Sequence, residues 1–132
     1  MTPAEARSFL LLAREDLTVV GKLMGEHPRQ AAFHLQQAAE KLIKAGLAAG
    51  GTAIPRTHQL GALVSLLPED HPWRPDLMAL DRLTSHATAL RYPTAAGGLP
   101  AAPPASRIMS DLADLAALVD SIETWADQRS EA

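Results

Sequence analysis

Ala32-Phe33-His34-Leu35-Gln36-Gln37-Ala38-Ala39-Glu40-Lys41-Leu42-Ile43-Lys44-Ala45 lies in a segment that opens after His27-Pro28 and stops at Gly50-Gly51. A proline at the start and glycines at the end are the punctuation of a helix. With Leu35 at zero and about 100° per residue, Ala38, Ala39, Leu42, Ile43 and Gly46 share one arc. His34, Gln37, Glu40, Lys41 and Lys44 occupy the opposite arc. Taken alone, that polar arc is a solvated face on which Glu40 and Lys44 form an i,i+4 pair worth on the order of a few tenths of a kcal/mol.

The rest of the chain supports the same fold class. Ala and Leu supply 25 and 20 of the 132 residues, whereas Val and Ile together supply 8, a ratio that favours helix over strand. The length is one domain's worth, so residues 1–132 are expected to form a single unit. Prolines divide the remainder. A first helix is predicted from Pro3, with Thr2 as N-cap, to about Gly25, with Phe9, Leu10, Ala13, Leu17, Val20 and Met24 at three-and-four spacing. Short helices are predicted at Gln59–Leu67 and Pro75–Leu90. A Pro/Gly/Ala-rich connector covers about 93–104, and a last helix runs from Ala105 to about Arg129. That helix carries Ile108, Leu112, Leu115, Val119, Ile122 and Ala126 in a sustained seam. The seam and the alanine-rich face of the second helix (Ala38, Ala39, Ala45) are expected to supply enough apolar surface to pair two copies as a homodimer. The expected architecture is all-α, a five-helix up-and-down bundle.

Several function classes drop out. With no Cys there is no disulfide scaffold, thiol nucleophile or cysteine zinc site. The five histidines are dispersed, no His-x-x-x-His or Glu-x-x-His occurs on one helix, and no metal or other cofactor is expected. Gly50-Gly51 and Gly97-Gly98 lack a following Lys-Ser/Thr and are simple stops rather than phosphate loops. Trp73 and Trp125 are expected as packing residues near helix ends. There is neither a membrane-length apolar run nor a signal-peptide pattern, so a cytoplasmic location is expected. A net charge of −3 gives no global attraction to nucleic acid, and any such contact needs a local basic patch.

The residues of the second helix resemble the signature helix of the HEPN domain family, which reads A-F-H-x-Q-Q-A-A-E-K-x-x-K. Three further elements agree in order: Glu15-Asp16-Leu17, Pro55-Arg56-Thr57-His58-Gln59-Leu60 (resembling P-x-T-H-x-L) and Leu90-Arg91-Tyr92-Pro93 (resembling A-R-Y-P). The similarity spans about residues 5 to 125. It implies a five-helix bundle, commonly dimeric, from prokaryotic cytoplasm and often working beside a minimal nucleotidyltransferase in toxin–antitoxin-type pairs. Many members are metal-independent ribonucleases using Arg, four to six residues, then His, late in the bundle. Others of the Arg-Tyr-Pro type are proposed to bind nucleotides or polyanions without cleavage.

Metal-free RNA cleavage needs an acid/base and a cation beside the phosphorus. Arg82 and His86 have one residue too few between them, and the Arg-Tyr-Pro element occupies the late position where the resemblance places a catalytic motif. Arg29 and His34 have the right gap but sit at the start of the second helix. The reading that follows is a non-catalytic module binding a nucleotide, RNA or a nucleotidyltransferase partner through Lys41, Lys44, Arg56, His58, Arg91 and Tyr92, converging on one groove. The alternatives are a ribonuclease using Arg82 and His86, and a purely structural interaction bundle.

Overall fold

The computed structural model describes residues 3–131, and every regular element among them is helical. Three long helices make the frame: α1 (Pro3–Leu23), α2 (Pro28–Ala49) and α5 (Ala105–Glu131). Between the second and last lie α3 (Leu60–Val64), α4 (Arg74–Met78) and a 3-10 helix (Ala79–Ala87) that continues α4. Ala6 of α1 packs with Ala48 and Ala49 of α2 beside Trp125 of α5. Further along, Arg14 bonds Asp120 at 2.8 Å and Glu123 at 3.1 Å. Helix α1 is therefore antiparallel to both α2 and α5. Thr2, expected as the N-cap of α1, lies outside the described residues.

The apolar arc of α2 is the centre of the core. Leu35, Ala38, Ala39, Leu42 and Ile43 are fully buried, together with Leu10, Val20, Leu60 and Leu115. Small alanines let the neighbouring helices approach, which suits a chain with few aromatic residues. Helix α2 ends as expected at Gly50, with Gly51 at φ +72° carrying the chain away from the helix. The α5 seam also faces inward: Ile108, Leu115, Val119 and Ile122 are buried, and Leu112 and Trp125 pack against the core. The alanine face of α2 and the α5 seam are thus consumed within one chain rather than left over for a second. The apolar residues that remain exposed are others, including Leu11, Leu12 and Met109.

Two elements differ from their sequence expectation. The helix expected over Pro75–Leu90 is α-helical only to Met78 and then tightens into nine residues of 3-10 helix. The reason is a spacing of three: Leu77, Leu80 and Leu83 are all buried, and His86 follows half-buried on the same row. Three residues per turn aligns such a row, whereas 3.6 would rotate it off the core. Helix α3 is shorter than Gln59–Leu67, and side chains of the 3-10 helix cap its start. Leu60 N–H donates to Thr84 Oγ1 at 3.1 Å and Gly61 N–H to Asp81 Oδ1 at 2.8 Å. A Cβ on Gly61 would lie 3.0 Å from that carboxylate, tighter than ordinary contact, so glycine suits the close approach.

The Pro-rich segment after the 3-10 helix forms a turn in which Thr94 N–H donates to Gly98 O at 2.8 Å, with Gly97 at φ +85°. Arg29 Nη1 donates to Pro100 O at 3.2 Å and ties the segment to the start of α2. Among the described residues no helix is long and apolar enough to cross a membrane.

Candidate functional site

The polar arc of α2 is not a solvated face. Its residues meet α1 on one side and the segment before α3 on the other, and two buried carboxylates organise it. Asp16 of α1 is 7% exposed and accepts from His34 Nδ1 at 2.9 Å and Lys41 Nζ at 2.5 Å. Glu40 is 5% exposed and accepts from His58 Nδ1 at 2.7 Å, Lys44 Nζ at 3.1 Å and Gln36 Nε2 at 3.3 Å. Each acid is shared by one histidine and one lysine. The expected Glu40–Lys44 pair is present, but as part of a mostly buried network. Burial pushes the Glu40 carboxyl up, and the hydrogen bonds from His58 and Lys44 outweigh it, holding the group below the ordinary carboxylate value.

A pocket of 390 Å³ opens at the other end of α2. It is lined by Arg29, Gln30, Phe33 and His34 from α2 and by Leu90, Arg91, Tyr92, Pro93, Leu99 and Pro100 from the segment after the 3-10 helix. Two arginines and a histidine line it and no carboxylate does, so the local potential is positive although the chain is negative overall. The Arg91 guanidinium stacks 4.6 Å above the Phe33 ring and its Nη1 donates to Ala87 O at 3.4 Å. The His34 ring meets Phe33 edge-on at 5.3 Å. Tyr92 is 60% exposed at the pocket edge.

Of the six binding residues expected from the sequence, Arg91 and Tyr92 line this pocket. Lys41 stands behind it, joined to His34 through Asp16. Lys44 and His58 share Glu40 further along α2, and Arg56 is exposed on the loop before α3. The two lysines are thus paired with buried acids rather than free for an anion. Arg29, Gln30, Phe33 and His34 complete the pocket. Only the spacing of Arg29 and His34 signalled two of them.

Arg82 and His86 stand in a different environment. Arg82 forms a two-pronged pair with Asp111 of α5, one arm at 3.1 Å, and Asp111 is 1% exposed. Hydrogen bonding to Asp111 raises the Arg82 pKa further. His86 Nδ1 donates to Ala32 O at 3.3 Å. Burial pushes the His86 pKa below its ordinary value, with the Arg82 charge adding to that and the Ala32 carbonyl and Asp111 opposing it. The carboxylate near His86 comes from α5, where it serves the arginine. Among the described residues no group of three His, Asp or Glu side chains is placed to hold a metal ion.

The helix order and the charged second helix define a small all-α bundle with two acid-centred clusters along α2, one acid coming from α1. A family model for the HEPN domain matches residues 5–122, and the chain belongs to that family. Comparison with curated proteins and with solved structures finds no match.

Proposed function

We infer that the chain is a non-catalytic HEPN module that binds a nucleotide or RNA in the pocket between the start of α2 and the Arg-Tyr-Pro segment. The observation that carries this reading is the meeting of Arg29, Arg91 and His34 around one concavity with no acid on its lining. Guanidinium groups give planar, paired donors to phosphate. The exposed Tyr92 ring and the free face of the Arg91 guanidinium offer stacking surfaces for a base. The Arg82 guanidinium, by contrast, is engaged by Asp111, which weighs against a ribonuclease built on Arg82 and His86.

Binding of a short single-stranded RNA is the test. Affinity is expected to fall with salt, and the slope to become shallower by about 0.7 for each arginine removed. Unchanged affinity in Arg29→Ala/Arg91→Ala with helix content intact removes the pocket from the function. Family membership also supports a second copy of the chain and a minimal nucleotidyltransferase as protein partners, in a toxin–antitoxin-type pair. Exposed Leu11, Leu12 and Met109 are apolar surface that a second copy would cover. Sedimentation at twice the 14.0 kDa chain mass is the expected result for the dimer.

A further inference from the structure

Arg29, Arg91 and His34 at the pocket are each held by an anchor that leaves a nitrogen unused. Arg29 spends Nη1 on Pro100 O. Arg91 spends Nη1 on Ala87 O and one face on Phe33. His34 spends Nδ1 on Asp16, which fixes the ring and leaves Nε2 without a hydrogen-bond partner among the described residues. Asp16 in turn has its other oxygen on Lys41, so the carboxylate is held in place between two donors. A neutral His34 carries its proton on Nδ1 and presents only a lone pair at Nε2; a protonated one presents a third cationic donor.

Three such donors suit a group with three terminal oxygens and close to two negative charges. A terminal phosphate monoester is that group, with a charge of about −1.5 to −2 at neutral pH. A phosphodiester offers two terminal oxygens and one charge. We propose that the pocket selects the terminal phosphate monoester of a nucleotide over a phosphodiester, and that His34, backed by Asp16 and Lys41, takes up a proton as the phosphate enters. This rests on the nucleotide- or RNA-binding reading above. The charged groups facing the ring are Asp16 from α1, Arg29 and Lys41 from its own helix, and Arg91 from the segment after the 3-10 helix, with Tyr92 as the other titratable group at the pocket. A phosphate dianion beside Nε2 adds negative charge and an acceptor on that side of the ring, which favours the charged imidazole and couples proton to ligand.

The test is titration calorimetry of the full chain with adenosine 5′-monophosphate, adenosine, the dinucleotide ApA and inorganic phosphate, in two buffers of different ionisation enthalpy. The monophosphate is expected to bind at least about tenfold tighter than adenosine or ApA, the difference one charge-assisted hydrogen bond makes. Net proton uptake is expected with the monophosphate and not with adenosine. His34→Gln is expected to abolish the uptake and to weaken the monophosphate about tenfold, more than it weakens adenosine. A 5′-phosphorylated RNA oligonucleotide bound more tightly than the monophosphate assigns the phosphate to an RNA end; equal binding assigns it to a free nucleotide. ApA bound as tightly as the monophosphate overturns the proposal, as does proton uptake that persists in His34→Gln. If Arg29→Ala/Arg91→Ala still weakens those ligands, the broader binding reading stands. Binding of none of the probes, or binding indifferent to both arginines, overturns both. The ligand comparison uses the unaltered chain and so does not depend on any variant folding.

Discussion

Two places in this molecule set arginine and histidine near a buried carboxylate, and they differ in which partner the acid takes. At the start of α2, Asp16 takes the histidine, and Arg29 and Arg91 are anchored only by carbonyls and a ring. At the 3-10 helix, Asp111 takes the arginine, and His86 is left against a backbone carbonyl. The first arrangement leaves positive charge uncompensated and orients an imidazole at a pocket. The second cancels the charge within the fold and favours a neutral imidazole. Proximity of the same residue types is therefore a poor guide to a site. What decides is where the carboxylate's charge goes.

The comparison breaks most visibly in stability. Arg82→Ala leaves Asp111 buried with its charge uncompensated, and loss of one partner of a buried pair costs on the order of 3–5 kcal/mol. Because Arg82 itself is 40% exposed, the low end of that range, about 3 kcal/mol, is expected in urea unfolding. Arg91→Ala, which buries no acid and forfeits one exposed cation–π contact, is expected to cost no more than about 1 kcal/mol. Equal losses from the two substitutions would mean that the clusters do not differ in the way their hydrogen bonds indicate.

In binding the order is expected to reverse. Arg29→Ala/Arg91→Ala should weaken a short RNA about a hundredfold, at roughly tenfold for each charged donor removed. Lys44→Ala should stay within about twofold, since its ammonium is already spent on Glu40. A lysine variant as damaging as the arginine pair would restore the groove expected from the sequence. RNA held with the purified chain in EDTA is expected to remain intact, because Arg82 is engaged by Asp111. Degradation that disappears in His86→Ala would show that the second cluster is the working one.

Much of the frame was legible in the sequence because it rests on local periodicity. The apolar arc of α2 and the α5 seam follow from helical spacing alone, and both are buried where that spacing puts them. The 3-10 helix was also written there, in Leu77, Leu80, Leu83 and His86 at intervals of three, but an α-helical period hides such a row. The network on α2 could not be read the same way. Asp16 and His58 reach it from outside the helix, and no spacing within α2 announces them. Likewise the pocket joins Phe33 to Arg91 and Arg29 to Pro100, contacts made by the return of the chain after the 3-10 helix. The family resemblance pointed to Arg91 and Tyr92, and it included Phe33 and His34 in the signature helix without marking them as wall residues.

A smaller effect separates Asp81 from both clusters. Its carboxylate caps α3 and holds Thr84 at 3.0 Å, and so does not serve His86. Gly61→Ala would place a methyl group 3.0 Å from that carboxylate, which must then give by a few tenths of an ångström and weaken the cap. The expected loss is about 1 kcal/mol, the usual magnitude for a helix cap, with ligand affinity at the α2 pocket unchanged. No loss at all would mean that the 3-10 helix shifts freely, and that the α3 contact does not fix its position.

The smallest expected effect is the dependence of stability on pH, and it distinguishes the two buried networks by window. His86 has a folded pKa below its ordinary value of 6.5, chiefly through burial. The unfolded chain therefore binds that proton more readily than the folded one. The contribution of His86 is fully present above pH 6.5 and is lost as pH falls through the folded value. Glu40 has a folded pKa below its ordinary 4.5 because the His58 and Lys44 bonds outweigh burial. Its contribution is present above pH 4.5 and is lost only as pH falls further, through the folded value. Urea unfolding at stepped pH should thus show an early decline below pH 6.5 that is absent in His86→Gln, and a later one below pH 4.5 that is absent in Glu40→Gln. An early decline that persists without His86 would assign it to another histidine.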